Sequence, residues 1–74
     1  MARFEIYQAR DGWRWRLWST NSRIVADSGE AYATEYNAVR AAKRTKEIAP
    51  TAVVLRSDGT VLSEEKHIYI NDPF

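Results

Sequence analysis

Hydrophobic and polar residues alternate along the first third of the chain, which is the pattern of β-strands. Residues 13–18, WRWRLW, alternate large apolar and cationic side chains without a break. Successive side chains of a strand point to opposite faces. One face therefore carries Trp13, Trp15 and Leu17, and the other carries Arg14, Arg16 and Trp18. Aromatic residues suit a half-buried pleated surface, so we predict that this segment is the central strand of an antiparallel sheet.

Residues 3–8 alternate in the same way and predict a first strand. The dipeptide Asp11-Gly12, which follows it, is favoured in a two-residue type I′ turn, because both central residues of that turn need a positive φ. This turn pairs Arg10 with Trp13, Gln8 with Trp15, Tyr7 with Arg16 and Ile6 with Leu17. A slip of one residue would move every side chain of the first strand to the other face.

A second turn at Asn21-Ser22 is expected to lead into a third strand and to complete a meander. It predicts that Arg16 faces Asp27, Leu17 faces Ala26 and Trp18 faces Val25. The predicted inner face of the sheet consists of Phe4, Ile6, Trp13, Trp15, Leu17, Ile24 and Ala26. The predicted outer face consists of Glu5, Tyr7, Arg14, Arg16, Trp18, Arg23, Val25 and Asp27.

The hydrophobic period becomes helical after residue 33. Thr34 is expected to cap the helix by accepting a hydrogen bond from the amide of Tyr36 or Asn37, and Pro50 is expected to end it. The apolar stripe of the helix consists of Ala38, Val39, Ala42, Thr45, Ile48 and Ala49. Because this stripe is mostly alanine, we expect the helix to pack closely on the tryptophans of the inner face.

The last third of the chain predicts short strands. Residues 52–56 are apolar, and Asp58-Gly59 favours a second two-residue hairpin that places Leu55 opposite Leu62. Residues 67–70 have the pattern of a last strand. The predicted fold class is α+β: an antiparallel three-stranded meander, one helix packed on one face, then a C-terminal strand or hairpin, in the order β-β-β-α-β-β.

The chain length predicts one domain over residues 1–74, with a core unit at 3–56 and a C-terminal hairpin and tail at 57–74. A chain of this size buries only about 60% of the surface that its unfolded form exposes. Small domains usually compensate with disulfides, a metal or a partner subunit. With no cysteine and one histidine, disulfides are excluded and a zinc site is disfavoured, so we expect a homodimer.

Charge and hydropathy limit the choice of partners. The formal net charge is +1, with 11 basic and 10 acidic residues, so no strong overall field favours nucleic acid or a membrane surface. No apolar run approaches the roughly 20 residues that span a bilayer, and the chain does not open with a signal-peptide pattern. We therefore expect a cytoplasmic protein without a membrane partner.

Several segments together resemble the YegP-like family, also called domain of unknown function 1508. The matching segments are FEIY at 4–7, WRWRL at 13–17, IVADSGE at 24–30 with Tyr32, and a helix that ends in Ala49-Pro50. The resemblance covers about residues 3–52 and implies three antiparallel strands, a helix and a further strand. Members of that family build one continuous sheet from two units by exchanging C-terminal strands, so the resemblance also implies a homodimer.

Residues 53–74 resemble instead the end of a second small bacterial family, domain of unknown function 2188, through Val53-Val54-Leu55, the Asp58-Gly59 turn and residues 71–74, NDPF. This departure leaves two arrangements open, because the C-terminal extension could be exchanged between subunits or could pair within its own subunit. Neither family brings a known activity.

The outer sheet face is the strongest candidate for a binding site. Tyr7, Arg14, Arg16 and Trp18 place aromatic rings beside guanidinium groups, the combination that single-stranded nucleic-acid platforms use. The alternative interpretation is structural, because Arg16 is expected to lie between Tyr7 and Asp27 and to contact both. Arg14 has no expected acidic neighbour and is therefore the better functional candidate.

Other polar clusters give no site. Glu65 and His67 share one side of a predicted strand but are too few to hold a metal. The helix also carries a row of cations, which two glutamates interrupt, so we interpret that surface as solvated. The cations are Arg40, Lys43, Arg44 and Lys46, and the glutamates are Glu35 and Glu47.

No catalytic residue or cofactor is predicted. The favoured function is a non-catalytic, homodimeric module that binds an unknown protein partner, and the alternative is an accessory binder of single-stranded nucleic acid.

Overall fold

The computed structural model describes residues 1–62 and contains a three-stranded antiparallel sheet with one helix. The elements in chain order are β1 (Arg3–Ala9), β2 (Gly12–Trp18), β3 (Ile24–Asp27), α1 (Glu35–Ile48) and a 3₁₀ turn (Ala49–Thr51). The sheet order is β1-β2-β3, and α1 packs on β1 and β2. The α+β class and the meander are therefore confirmed. The strand predicted at 67–70 lies outside the described residues.

The register of the first hairpin differs from the prediction by two residues. Tyr7 pairs with Arg14, Ile6 pairs with Trp15, and Ala9 pairs with Gly12. The loop is therefore Arg10-Asp11, and neither residue has the positive φ that a type I′ turn requires. Because side chains alternate with a period of two, a shift of two residues leaves every side chain on its predicted face.

Gly12 begins β2 because a larger residue would not fit there. Its φ is +139°, and an added Cβ would lie 2.7 Å from the carbonyl oxygen of Tyr32. The backbone of Tyr32 lies beside Trp13: the Trp13 amide donates to the Tyr32 carbonyl at 2.8 Å, and the Tyr32 amide donates back at 2.7 Å. Gly12 thus allows the segment that precedes the helix to pair with the start of β2.

The second hairpin has a three-residue loop and a bulge. The Ser19 amide donates to the Arg23 carbonyl at 2.8 Å, and Ser22 takes a positive φ of 64°, as the last residue of such loops often does. Arg16 pairs with Asp27 and Leu17 with Ala26, as predicted, but Trp18 pairs with Ile24 and not with Val25. The bulge absorbs the extra residue.

The inner face of the sheet and the helix form a small core around Trp15, which is 7% exposed. The ring of Phe4 meets the Trp15 ring edge-on, with centroids 5.3 Å apart. Ala38 and Ala42 of α1 are buried and let the helix approach the sheet closely. Thr34 caps α1 by accepting from the Asn37 amide at 3.1 Å, as predicted.

Three predicted core positions are exposed. The sequence predicts Ile24 on the inner face, yet 47% of its surface is exposed, because the one-residue bulge pairs it with Trp18 of the outer face. In addition, α1 covers β1 and β2 and does not contact β3. Ile48 was assigned to the apolar stripe of the helix and is 44% exposed, and Ala49 is exposed as well. Within residues 1–62, only part of the apolar stripe of the helix is therefore buried.

The second Asp-Gly turn forms a hairpin with a three-residue loop. The Arg56 amide donates to the Thr60 carbonyl at 2.8 Å, and Leu55 bridges Val61, so the predicted pairing with Leu62 is wrong. Gly59 takes a φ of +91°, which suits the last residue of a three-residue loop. All residues from 51 to 62 are exposed, so this hairpin adds little to the core.

Candidate functional site

The outer sheet face is defined here by Glu5, Tyr7, Arg14, Arg16 and Trp18. The four residues that the sequence predicted for binding all lie on this face, because they alternate with the core-facing residues of β1 and β2. They are Tyr7, Arg14, Arg16 and Trp18. Tyr7 and Arg14 are cross-strand partners. Glu5, which was not predicted as a site residue, pairs with Arg16 in the observed register. Alternation places Glu5 on this face, and only the observed register makes it the partner of Arg16.

Arg16 lies at the centre of a stack of side chains. Its guanidinium lies over the Tyr7 ring at 4.3 Å and near the Trp18 ring at 5.3 Å. Its Nε donates to Oε1 of Glu5 at 2.6 Å, and Nε1 of Trp18 donates to the same oxygen at 3.0 Å. The predicted contact with Tyr7 is thus present. The carboxylate that binds Arg16 is that of Glu5 and not that of Asp27.

Arg14 also has an acidic partner, contrary to the prediction. Its Nε and Nη2 donate to the two carboxylate oxygens of Asp11 at 3.2 Å and 2.6 Å, and its Nη1 donates to the carbonyl of Ser28 at 3.2 Å. The prediction considered only cross-strand partners, whereas Asp11 lies three residues before Arg14 in the chain and binds it from the loop. A bidentate pair of this kind fixes the guanidinium plane.

The charges of the outer sheet face are compensated. Hydrogen bonds from Arg16 and then from Trp18 lower the pKa of Glu5 below its ordinary value of 4.5. The hydrogen bond from Arg14 lowers the pKa of Asp11 below 3.8. Both carboxylates are therefore ionised at neutral pH, and they balance the two guanidinium groups. A phosphate at this face would compete with Glu5 and Asp11 for the two guanidinium groups.

A second concave surface, which we call the helix cleft, lies between Tyr32 and α1. It encloses about 640 Å³ and is open to solvent. Its lining residues are Tyr32, Asn37, Arg40, Ala41, Lys43, Arg44 and Glu47. Burial, followed by the nearby charge of Glu30, raises the pKa of Tyr32 above its ordinary value of 10.0. The sequence pattern revealed the cations but not Tyr32, because the pairing of its backbone with Trp13 places it there.

Within residues 1–62, no group of three or more histidine or acidic side chains is placed to hold a metal ion. Glu65 and His67 lie outside these residues. No helix in this part of the chain combines the length and the hydrophobicity that a membrane span requires.

The fold and the sequence together identify the family. Three antiparallel strands followed by one helix define a small α+β domain of the YegP-like type. Residues 9–55 match the family model described as "Domain of unknown function (DUF1508)". This match covers more than half of the chain, so the protein belongs to that family, as the resemblance implied.

A solved structure supports the same assignment. The chain is similar to a protein from Haloferax volcanii, known from an NMR solution structure, with 40% sequence identity and a TM-score of 0.70. The similarity covers 76% of this chain and 95% of the Haloferax chain. No curated protein matches the chain. The family carries no assigned function, so a function has to be inferred from the geometry.

Proposed function

We propose that the protein is a non-catalytic module that forms a homodimer and acts by binding another macromolecule. The observation that carries this proposal is the incomplete cover of the sheet: α1 lies over β1 and β2 and leaves β3 uncovered. A sheet needs its apolar face covered to contribute to stability. A second copy of the chain is the simplest source of that cover.

The size of the core supports association. Within residues 1–62, the buried hydrophobic side chains are those of Trp15, Ala38 and Ala42, and none of them is a large aliphatic residue. A single small core of this kind rarely stabilises a domain by more than about 3–5 kcal/mol. Association adds buried apolar surface without lengthening the chain.

Exposed apolar residues supply the surface that such a dimer would bury. Val54 is 58% exposed. The other large apolar residues that are exposed beyond the helix are Val53, Leu55, Val61 and Leu62, and those exposed on β3 are Ile24 and Val25. An extended apolar segment of this kind can pair with an open sheet edge of another subunit and so remove an edge that would otherwise aggregate.

The alternative, that the outer sheet face binds single-stranded nucleic acid, has one observation in its favour: Tyr7, Arg16 and Trp18 form an ordered stack of rings and a guanidinium. Against it, Asp11 and Glu5 already bind Arg14 and Arg16 at 2.6 Å. We therefore favour a structural role for this face.

The dimer is tested with a charged variant of the apolar segment. The double variant Val53→Asp and Leu55→Asp places two carboxylates where apolar burial is proposed. Its matched control, Thr51→Asp with Ser57→Asp, adds the same charge at two exposed polar positions nearby. We expect the first variant to be monomeric or unfolded and the control to remain dimeric by light scattering coupled to size exclusion. The same mass and the same stability in both variants would contradict the proposal.

A further inference from the structure

The cations of the helix cleft are largely uncompensated. Among the described residues, the one salt bridge in the cleft joins Arg44 to Glu47 at 3.9 Å, between side chains that are 70% and 68% exposed, so it is weak. Arg40 contacts the Tyr36 ring at 5.8 Å, and Lys43 forms no salt bridge within residues 1–62. The cleft lining therefore carries three cations and the Glu47 carboxylate, with the Glu30 carboxylate beside Tyr32, so its cations exceed its carboxylates.

The cations form a row along the helix. Arg40 and Arg44 are one turn apart, and neighbours at this spacing have Cβ atoms about 5–6 Å from each other. Lys43 also lines the cleft, and it follows Arg40 by three residues, the other spacing that places side chains on one face of a helix. A row of long cationic side chains can contact successive phosphates of an extended polyanion.

Two tyrosines accompany this row. Tyr36 is 69% exposed, and its ring lies beside Arg40. Tyr32 forms a half-buried wall of the cleft. Exposed aromatic rings beside cations provide stacking positions for unpaired bases. A small ligand would need an enclosed pocket that buries most of its surface, whereas this cleft is open along the helix.

We propose that the helix cleft binds single-stranded nucleic acid, with Arg40, Lys43 and Arg44 contacting the phosphates and Tyr36 stacking on a base. The inference rests on the proposed function in that it names the macromolecule that the module binds. It does not depend on dimerisation. The proposed contact lies on α1 and not on the outer sheet face, although the sequence pattern alone indicated that this surface of the helix is solvated.

The test measures binding of a fluorescein-labelled, 20-nucleotide mixed-sequence RNA to the full chain by fluorescence anisotropy over a salt series. The triple variant Arg40→Ala, Lys43→Ala and Arg44→Ala should weaken binding at low salt at least about tenfold. The slope of log affinity against log salt should fall by about 2, because each phosphate contact on a single strand contributes about 0.7. Alanine favours helix, so this variant should remain folded by circular dichroism.

A matched control distinguishes binding at the helix cleft from a general effect of positive charge. Arg10→Ala, Arg23→Ala and Arg56→Ala remove the same charge from exposed positions outside the cleft, and this variant should bind within about twofold of the parent. Tyr36→Ala should weaken binding about tenfold, and Tyr36→Phe should restore it because the phenyl ring keeps the stacking surface.

Several results would overturn the inference. These are equal losses in the cleft variant and its control, no binding by the parent at low salt, or equal affinity for a duplex of the same length. Loss of binding on Arg14→Ala but not in the cleft variant would assign the contact to the outer sheet face. Sedimentation of the same samples reports the oligomeric state separately, so a monomeric parent that still binds RNA would contradict the dimer and leave the cleft site standing.

Discussion

Glu5 and Arg16 face each other across β1 and β2, with Arg16 Nε 2.6 Å from Oε1 of Glu5. The same carboxylate oxygen accepts from Nε1 of Trp18 at 3.0 Å. One carboxylate therefore orients both a guanidinium and an indole on the outer sheet face. We interpret the face as a cross-strand network that holds the meander together.

This network predicts how stability depends on pH. The pKa of Glu5 is lower in the folded state than its ordinary value of 4.5, so the unfolded chain binds the proton more tightly. The contribution is complete above the unfolded pKa and is lost as the pH falls through the folded value. We expect urea denaturation to show stability that falls as the pH drops below about 5, with a smaller decrease in Glu5→Gln. An identical pH dependence in both proteins would show that Glu5 does not contribute.

The two arginines should behave similarly, which revises the contrast that the sequence suggested. Arg14→Ala breaks the bidentate pair with Asp11, and Arg16→Ala breaks the pair with Glu5 and the contact with Tyr7. We expect both variants to be modestly less stable than the parent in urea, with the larger loss for Arg16→Ala. Arg16→Lys should lie between Arg16→Ala and the parent, because it keeps the charge but not the planar stack. An Arg14→Ala variant as stable as the parent would contradict the observed pairing.

Trp15 should be the most sensitive position of the core. Its side chain is 7% exposed and fills the space between sheet and helix, so Trp15→Ala should cost about 3–5 kcal/mol. Trp15→Phe should cost much less, because the buried indole N–H has no hydrogen-bond partner among residues 1–62 and the ring still packs against Phe4. Chemical denaturation of both variants measures this difference. Equal losses would mean that the indole N–H is bonded and contributes as much as the packing.

Gly12 should tolerate no side chain, whereas Gly29 should. Alanine at position 12 would need a positive φ and would place its Cβ 2.7 Å from the Tyr32 carbonyl oxygen, so Gly12→Ala should cost about 1–3 kcal/mol. Nothing lies within 4 Å of a Cβ added at Gly29, so Gly29→Ala is the matched control and should be neutral or slightly stabilising. A Gly12→Ala variant as stable as the control would show that the Trp13–Tyr32 bridge is not rigid.

Alternation predicted the strands and their faces but not their partners. A period of two survives a shift of two residues, so Trp15 is buried as predicted even though it pairs with Ile6 and not with Gln8. The turns decided the exact pairing, and their type depends on backbone angles that a dipeptide does not specify. For that reason Arg16 was predicted to contact Asp27 and not Glu5. Arg14 was predicted to have no acidic partner, although Asp11 lies three residues before it and binds it.

Features that depend only on residues close together in the chain were predicted more accurately. Thr34 caps α1 through the amide of Asn37, because capping needs only a short side chain at the right position. The exposure of Ile24 could not be predicted, since it depends on the bulge that pairs Ile24 with Trp18. The helix cleft could not be predicted either. Tyr32 lines it because its backbone pairs with that of Trp13, and this pairing has no sequence signature.

The homodimer is tested most directly by the mass and the melting temperature of the full chain over a hundredfold dilution, from about 100 μM to 1 μM. A homodimer that buries the exposed apolar residues should sediment at about 17 kDa, twice the chain mass of 8.5 kDa, at the higher concentrations. Its melting temperature should fall on dilution, because folding and association are linked by mass action. A single folded species of 8.5 kDa whose melting temperature does not change with dilution would contradict the homodimer.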